Sequence, residues 1–252
     1  MSIDVFFVNK IPFFITLSRN IWFTTVTHLA NRKTATIFAA FRLIFMYYLQ
    51  KGFQIITVTA DNEFAPFAEL MYELPGAPTL NQTNANEHEP YIKRRIRVVK
   101  EQTRAVRHSI QFTQIPVKML THMVFFVVKM LNYFPAKGGV SDYHSPKTIM
   151  SGQTLNYKQC SLPFGTYCQV HEEDGQHNSL IARTSGAILV GPSIVQSLVF
   201  FFSKVKTSEG KTTKLANIAK TNVQEINPPK AIVPLKLDNV KVAKPKIKTI
   251  EV

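Results

Sequence analysis

Residues 53–64 read FQIITVTADNEF, and residues 2–8 read SIDVFFV. The run 53–60 is short, apolar and rich in β-branched side chains, the pattern of a buried strand. It ends at Asp61. The other run is broken by Asp4, among Ile3, Val5, Phe6 and Phe7. A carboxylate at such a place is costly unless it is paired or holds a metal. If the two strands are parallel neighbours, both carboxylates meet near one end of the sheet, where α/β sites commonly form. Paired hard-oxygen ligands suit Mg²⁺ or Mn²⁺, and two such ions can drive displacement at a phosphodiester. The plainer alternative is that Asp4 lies at a frayed edge and Asp61 caps the next helix.

The rest of the chain arranges itself around these runs. Strands at 3–8 and 13–17 flank Asn9-Lys10 as a hairpin, with Pro12 at the edge of the second, and 21–27 reads as a third strand. A helix capped by Asn31 or Thr34 runs to Gln50 and is stopped by Gly52. It carries Leu43, Ile44, Phe45, Met46, Tyr47 and Tyr48 in succession, so nearly every face is apolar and calls for burial or a partner. A short helix at 63–72, a strand at 78–83, a basic helix, and a helix at 117–132 between Pro116 and Pro135 follow. From 151 to about 221 the pattern is short β-type runs broken by turn residues. No internal repeat is present. The order predicts an α/β chain: a mixed sheet of three antiparallel strands plus parallel strands, with flanking helices. A small β-rich C-terminal domain and a basic tail come after it. The expected segments are a core at 1–112, a helical extension and Pro/Gly loop at 113–150, the β-rich domain at 151–222, and a disordered tail at 223–252.

Composition narrows the function. The 252 residues carry a net charge of +14, which predicts a polyanionic partner, nucleic acid before an anionic membrane surface. Hydrophobic content of 45% is that of a folded chain. Cys160 and Cys168 are too few for a disulfide framework, and with His171 and His177 they lack zinc-finger spacing. The expected setting is intracellular. No apolar run reaches the ~18 residues of a membrane span. The chain starts within a strand pattern, which reads as a truncated reading frame or a fragment of a longer polyprotein.

Two regions hold most of the charge. The stretch 91–107 carries a net +6, and 204–252 a net +7. In the first, Ile92, Ile96, Val99 and Val106 recur at helical spacing and form a core stripe. Lys93, Arg97, Lys100, Arg104 and Arg107, joined by Arg94, form a basic ridge turned away from it, well placed for phosphates. The alternative is a merely solvated face. The second region, after Asn227-Pro228-Pro229, has no periodicity; it reads as an extended basic arm or a solubilising tail, with Lys244-Pro245-Lys246-Ile247-Lys248 as a possible nuclear-import patch.

Several stretches together resemble the integrase core of copia-type retrotransposon polyproteins. They are Asp4 in the first hairpin, Asp61-Asn62-Glu63-Phe64, Ile11-Pro12-Phe13-Phe14-Ile15-Thr16 and Asn86-Glu87-His88-Glu89-Pro90. The loop Phe134-Pro135-Ala136-Lys137-Gly138-Gly139-Val140-Ser141-Asp142 with Ser145-Pro146, and Leu162-Pro163-Phe164-Gly165-Thr166-Tyr167, add to them. The resemblance spans roughly residues 1–220. It implies an RNase H-like fold of the retroviral-integrase type, a DDE polynucleotidyl transferase, and metal-dependent strand transfer in the nucleus on sequence-nonspecific double-stranded DNA, by a multimer. Asp4 and Asp61 match the first two metal-binding aspartates. The third acid is expected just after Pro90, where this chain has Tyr91; the next position at which related sequences carry an acid is Lys93. Glu87 and Glu89 lie close by, before the proline, and are the remaining candidates for a catalytic third carboxylate. The expectation is an integrase-like protein impaired in catalysis, the rival being a non-catalytic nucleic-acid-binding protein that keeps the fold.

Overall fold

The computed structural model describes residues 1–82, 90–111, 115–155, 157–160, 162–171, 184–192, 199–203, 215–216 and 223–225. Glu87, His88 and Glu89 lie outside these residues, as does the basic arm from 226 onward. Two compact units divide them: Met1–His108 with Val127–Leu155, and Ser109–Phe126 with the described part of Asn156–Ala243. No helix among the described residues is long and apolar enough to cross a membrane.

The first unit is built on a five-stranded mixed sheet. Strands β1 (Ser2–Val8), β2 (Ile11–Leu17) and β3 (Thr24–His28) are antiparallel; β4 (Thr57–Ala60) runs parallel to β1, and β5 (Thr79–Gln82) parallel to β4. The spatial order β3-β2-β1-β4-β5 with flanking helices is the RNase H-like arrangement. Asn9 and Lys10 both take positive φ, 47° and 66°, so the first hairpin closes on a two-residue turn whose twist matches its strands. Helix α1 (Thr34–Gln50) buries Ile37, Phe38, Phe41, Ile44, Phe45 and Tyr48, one stripe at three- and four-residue steps. These join Ile3, Phe14, Val58, Phe64 and Phe67 in one core. Leu43 and Met46, on the far side, remain exposed.

Several boundaries move. The third strand starts at Thr24, not at 21. Residues 18–23 form a turn closed by Trp22 N–H on Ser18 O at 2.7 Å and Ser18 N–H on Phe23 O at 3.0 Å, which buries Ile21 and Phe23 outside the ladder. The strand expected at 53–60 is only Thr57–Ala60, because Phe53 N–H bonds back to Tyr48 O at the end of α1 and Gly52 (φ +81°) turns the chain. Neither Asn31 nor Thr34 caps α1: its N-cap is Lys33, with no side-chain cap hydrogen bond, while Asn31 Oδ1 accepts from Lys33 N–H and Thr36 Oγ1 at the approach to the helix. The helix expected at 63–72 is a 3₁₀ turn (Asn62–Phe64) followed by α2 (Phe67–Met71), since Pro66 interrupts it.

Three further helices follow: α3 (Pro90–Ser109), α4 (Val117–Tyr133) and α5 (Pro146–Ser151). Ser145 caps α5 by accepting from Thr148 N–H at 3.1 Å. The second unit carries an antiparallel sheet in the order β10-β6-β7-β8-β9. Its strands are β6 (Tyr167–His171), β7 (Thr184–Pro192), β8 (Val199–Ser203), β9 (Leu215–Ala216) and β10 (Val223–Glu225). This is the β-rich C-terminal region read from the sequence. Val223–Glu225, assigned above to the tail, instead pairs with β6. Gly186 lies directly under the Tyr167 phenol, where a Cβ would collide with it.

Candidate functional site

Ser2 pairs with Thr59 in the parallel β1–β4 ladder. Two residues further on stand Asp4, within β1, and Asp61, one residue past the end of β4, so both carboxylates project from the same face at the same level. That face is opposite the α1 core and lies under the start of α3. Asp4 is buried at 5% exposure in a central strand, not at a frayed edge. Asp61 stands at the N-cap of the 3₁₀ turn, but its side chain caps nothing there.

What joins the two is Lys93. Its Nζ donates to Asp61 Oδ2 at 2.6 Å and lies 3.5 Å from Asp4 Oδ2. One ammonium in reach of both oxygens holds them no further apart than those two contacts allow. Asp4 Oδ1 also accepts the Val5 N–H at 2.7 Å. Burial raises the Asp4 pKa above the usual carboxylate range; the Lys93 charge and the Val5 N–H pull it back, and the nearby Asp61 adds to the rise. The Lys93 pKa is raised, chiefly by its hydrogen bond to Asp61, with both carboxylates contributing and partial burial opposing. Lys93 therefore stays protonated at neutral pH.

Lys93 fills the corner in which a third carboxylate was expected, and Tyr91 does not. Two positions apart on a helix, their side chains point about 200° apart. Tyr91 is 47% exposed and lies against Trp22 and Arg19 instead. The Lys93 ammonium is held by the carboxylates while its side chain stays 42% exposed. The remaining ridge residues Arg94, Arg97, Lys100 and Arg104 are exposed and Arg107 is half-buried; Arg97 is ion-paired with Glu101 at 2.9 Å. Ile92, Ile96 and Val99 of the core stripe are buried, and Val106 is half-buried.

Two functional-looking residues escaped the sequence reading. Arg95 adds to the charge of 91–107 without belonging to the basic ridge, and it is buried: Nε donates to Thr24 Oγ1 at 2.7 Å, and one terminal nitrogen has no hydrogen-bond partner among the described residues. Burial lowers its pKa to about 10. Its position was readable, since 92, 95, 96, 99 and 103 form one helical stripe. Thr24 is also clamped by Asn132 of α4, which accepts from Thr24 N–H at 2.9 Å and donates to Thr24 O at 2.7 Å. Arg19 donates to Ser2 Oγ at 3.2 Å and Thr59 Oγ1 at 3.4 Å, beside the carboxylates; no spacing announced it.

The described residues do not fit a two-metal centre. They offer two carboxylates and no group of three potential ligands, and a fixed ammonium occupies the space between the oxygens. A divalent ion there would meet like charge at contact distance.

No family model and no curated protein sequence matches the chain. Among solved structures, the catalytic core domain of BIV integrase is similar over 59% of this chain and 91% of its own, with 12% identity and a TM-score of 0.40.

Proposed function

We propose that the chain is an integrase-like protein of copia-type retrotransposon origin that binds nucleic acid through α3 and has lost metal-dependent strand transfer. The observation that carries this reading is the Lys93 ammonium seated between Asp61 and Asp4. Two converging carboxylates need positive charge, which a metal ion supplies in an active centre. Here a side chain supplies it, so neither Mg²⁺ nor Mn²⁺ is required and the chemistry that depends on them is absent. The source is argued from the motif stretches 11–16, 86–90 and 134–146, and the fold they imply is the one with the strand order β3-β2-β1-β4-β5.

What remains is a surface. Arg94, Lys100 and Arg104 stand free of the ion pair between Arg97 and Glu101 and lie along one exposed side of a 20-residue helix. Such a row neutralises backbone phosphates without reading sequence. The test is DNA affinity of the full chain against salt concentration. Replacing Arg94, Lys100 and Arg104 together by alanine should weaken binding and flatten the salt dependence by up to about three phosphate contacts. Unchanged affinity and slope would remove α3 from the interface.

The second reading is an active strand-transfer enzyme, favoured by the convergence of Asp4 and Asp61. It needs Lys93 to swing out and Glu87 or Glu89 to enter. Mg²⁺-dependent strand transfer by the unmodified chain, abolished by Asp61→Asn, would establish it and overturn the first.

A further inference from the structure

Three side chains meet at the start of α3: Arg19 and Trp22 from the 18–23 turn, and Tyr91 from the helix itself. The Trp22 and Tyr91 rings stand edge to face, centroids 6.3 Å apart and planes at 71°. The Arg19 guanidinium carbon lies 5.3 Å from the centre of the Tyr91 ring. Nearly half of Tyr91 is nevertheless exposed. An aromatic ring placed for core packing would be covered; this one has the Arg19 guanidinium over one face and still keeps nearly half its surface open.

Each member is fixed from behind. Trp22 donates Nε1–H to Gly138 O at 3.2 Å, and its backbone sits at φ 60°, a conformation bulky residues seldom adopt. The loop it holds comes close: a Cβ on Gly139 would lie 3.4 Å from the indole ring, and Val140 N–H bonds to Asn20 O at 3.2 Å. Arg19 is tied to Ser2 and Thr59. Tyr91 is the second residue of a helix whose next turn is anchored by buried Ile92, Arg95 and Ile96. A rigid, half-open aromatic pair with a guanidinium beside it matches what unpaired nucleobases stack on. Positive charge for the adjoining phosphates is at hand in Arg94, three residues along the same helix, and in exposed Lys137 of the loop that Trp22 holds.

We infer that Arg19, Trp22 and Tyr91 form a stacking subsite for an unpaired base, so that the protein prefers single-stranded DNA to duplex. The inference rests on the nucleic-acid-binding reading above and narrows it. In an intact duplex both faces of every interior base are covered by neighbours, and the subsite has nothing to take. The ridge on α3, which touches only backbone, serves both substrates.

Trp22 is the only tryptophan in the chain, so intrinsic tryptophan fluorescence reports on the subsite directly. The full-length protein is titrated with an oligo-dT strand, with a duplex of equal length, and with the matching RNA strand, all at one salt concentration. Saturable quenching by the single strand, with affinity at least several-fold above the duplex, is the expected result. Tyr91→Ala should lower single-strand affinity roughly 5- to 150-fold, the range for losing one base–aromatic stack, and leave duplex affinity unchanged; Tyr91→Phe should retain it. RNA quenching as strong as DNA would also support the subsite, because the stacking chemistry is shared. Circular dichroism of Tyr91→Ala checks that α3 remains folded. If single strand and duplex bind alike and Tyr91→Ala changes neither, the subsite is refuted while nucleic-acid binding stands. If neither binds, the parent reading falls as well.

Discussion

Replacing Lys93 by methionine keeps the length of the side chain and removes its charge. Asp61 is 30% exposed and water can take over its solvation, so its share of the loss is that of a surface pair, about 0–1 kcal/mol. The Asp4 side chain is only 8% exposed and would keep a buried charge with the Val5 N–H as its one remaining donor among the described residues. Breaking a fully buried pair costs about 3–5 kcal/mol. Lys93 itself is 42% exposed, which screens the interaction, and its contact with Asp4 is the longer of the two. A loss of about 1–2 kcal/mol at neutral pH is therefore expected. The loss must also depend on pH. The Asp4 pKa is already raised in the folded state, so the native state holds its proton more tightly than the unfolded chain, and stability from this group rises as pH falls. Removing Lys93 raises it further. The gap between wild type and Lys93→Met is then widest above the folded Asp4 pKa and closes as pH falls through it. Urea unfolding at neutral pH and near pH 4 measures both, with an unchanged m-value confirming that only stability has moved. A gap independent of pH, or a variant more stable than wild type at neutral pH, would refute the claim that Lys93 neutralises a buried Asp4.

Three further outcomes are expected. Lys93→Glu replaces the internal cation by a third carboxylate; it should be less stable than Lys93→Met without added metal, and Mn²⁺ should raise its Tm by mass action, whereas wild type shows no Mn²⁺-dependent shift. Asn132→Ala orphans the Thr24 N–H and C=O that it now satisfies and should cost about 2–3 kcal/mol, measured by urea unfolding. Arg95→Met should fall within about 1 kcal/mol of wild type or exceed it, because it removes a buried cation with an unmet donor, at the cost of one hydrogen bond to Thr24.

The sheet was legible because its pattern is local. The apolar β-type runs at 3–8 and 13–17, the Asn9-Lys10 turn and the β-branched run before Asp61 each follow from neighbouring residues, and their consistent assembly needs one crossover. The convergence of Asp4 and Asp61 followed from the assumption of parallel neighbours, which the Ser2–Thr59 register meets. The third corner was not legible. Whether position 91 or 93 faces the carboxylates depends on the rotational setting of α3, which is fixed by burial of Ile92, Arg95, Ile96 and Val99 and not by distance from Asp61. Arg95 shows the same limit from the other side: its type marked it as surface, and its place in the apolar stripe decided otherwise.

The seating of Lys93 between the two carboxylates has a structural consequence apart from the chemistry proposed above. Asp4 and Asp61 repel one another, and without a cation that repulsion would fall on the strands β1 and β4 that bear them, which share a parallel ladder. A bound metal relieves it only while bound, by an amount that follows the free ion concentration. A lysine carried on α3 is present at a fixed effective concentration, so relief is permanent and is coupled to the seating of the helix. The start of α3 is thereby pinned to the sheet by Lys93 as well as by Ile92 and Arg95. Tyr91 and Arg94 are presented from that pinned turn. On the proposed nucleic-acid-binding reading, this pinning gives a binding surface whose geometry is independent of metal, and the Lys93→Met variant should lose it: its single-strand affinity should fall together with its stability. Equal affinity in Lys93→Met and wild type, at a denaturant-free condition where both are folded, would show that the ion cluster and the binding surface are uncoupled.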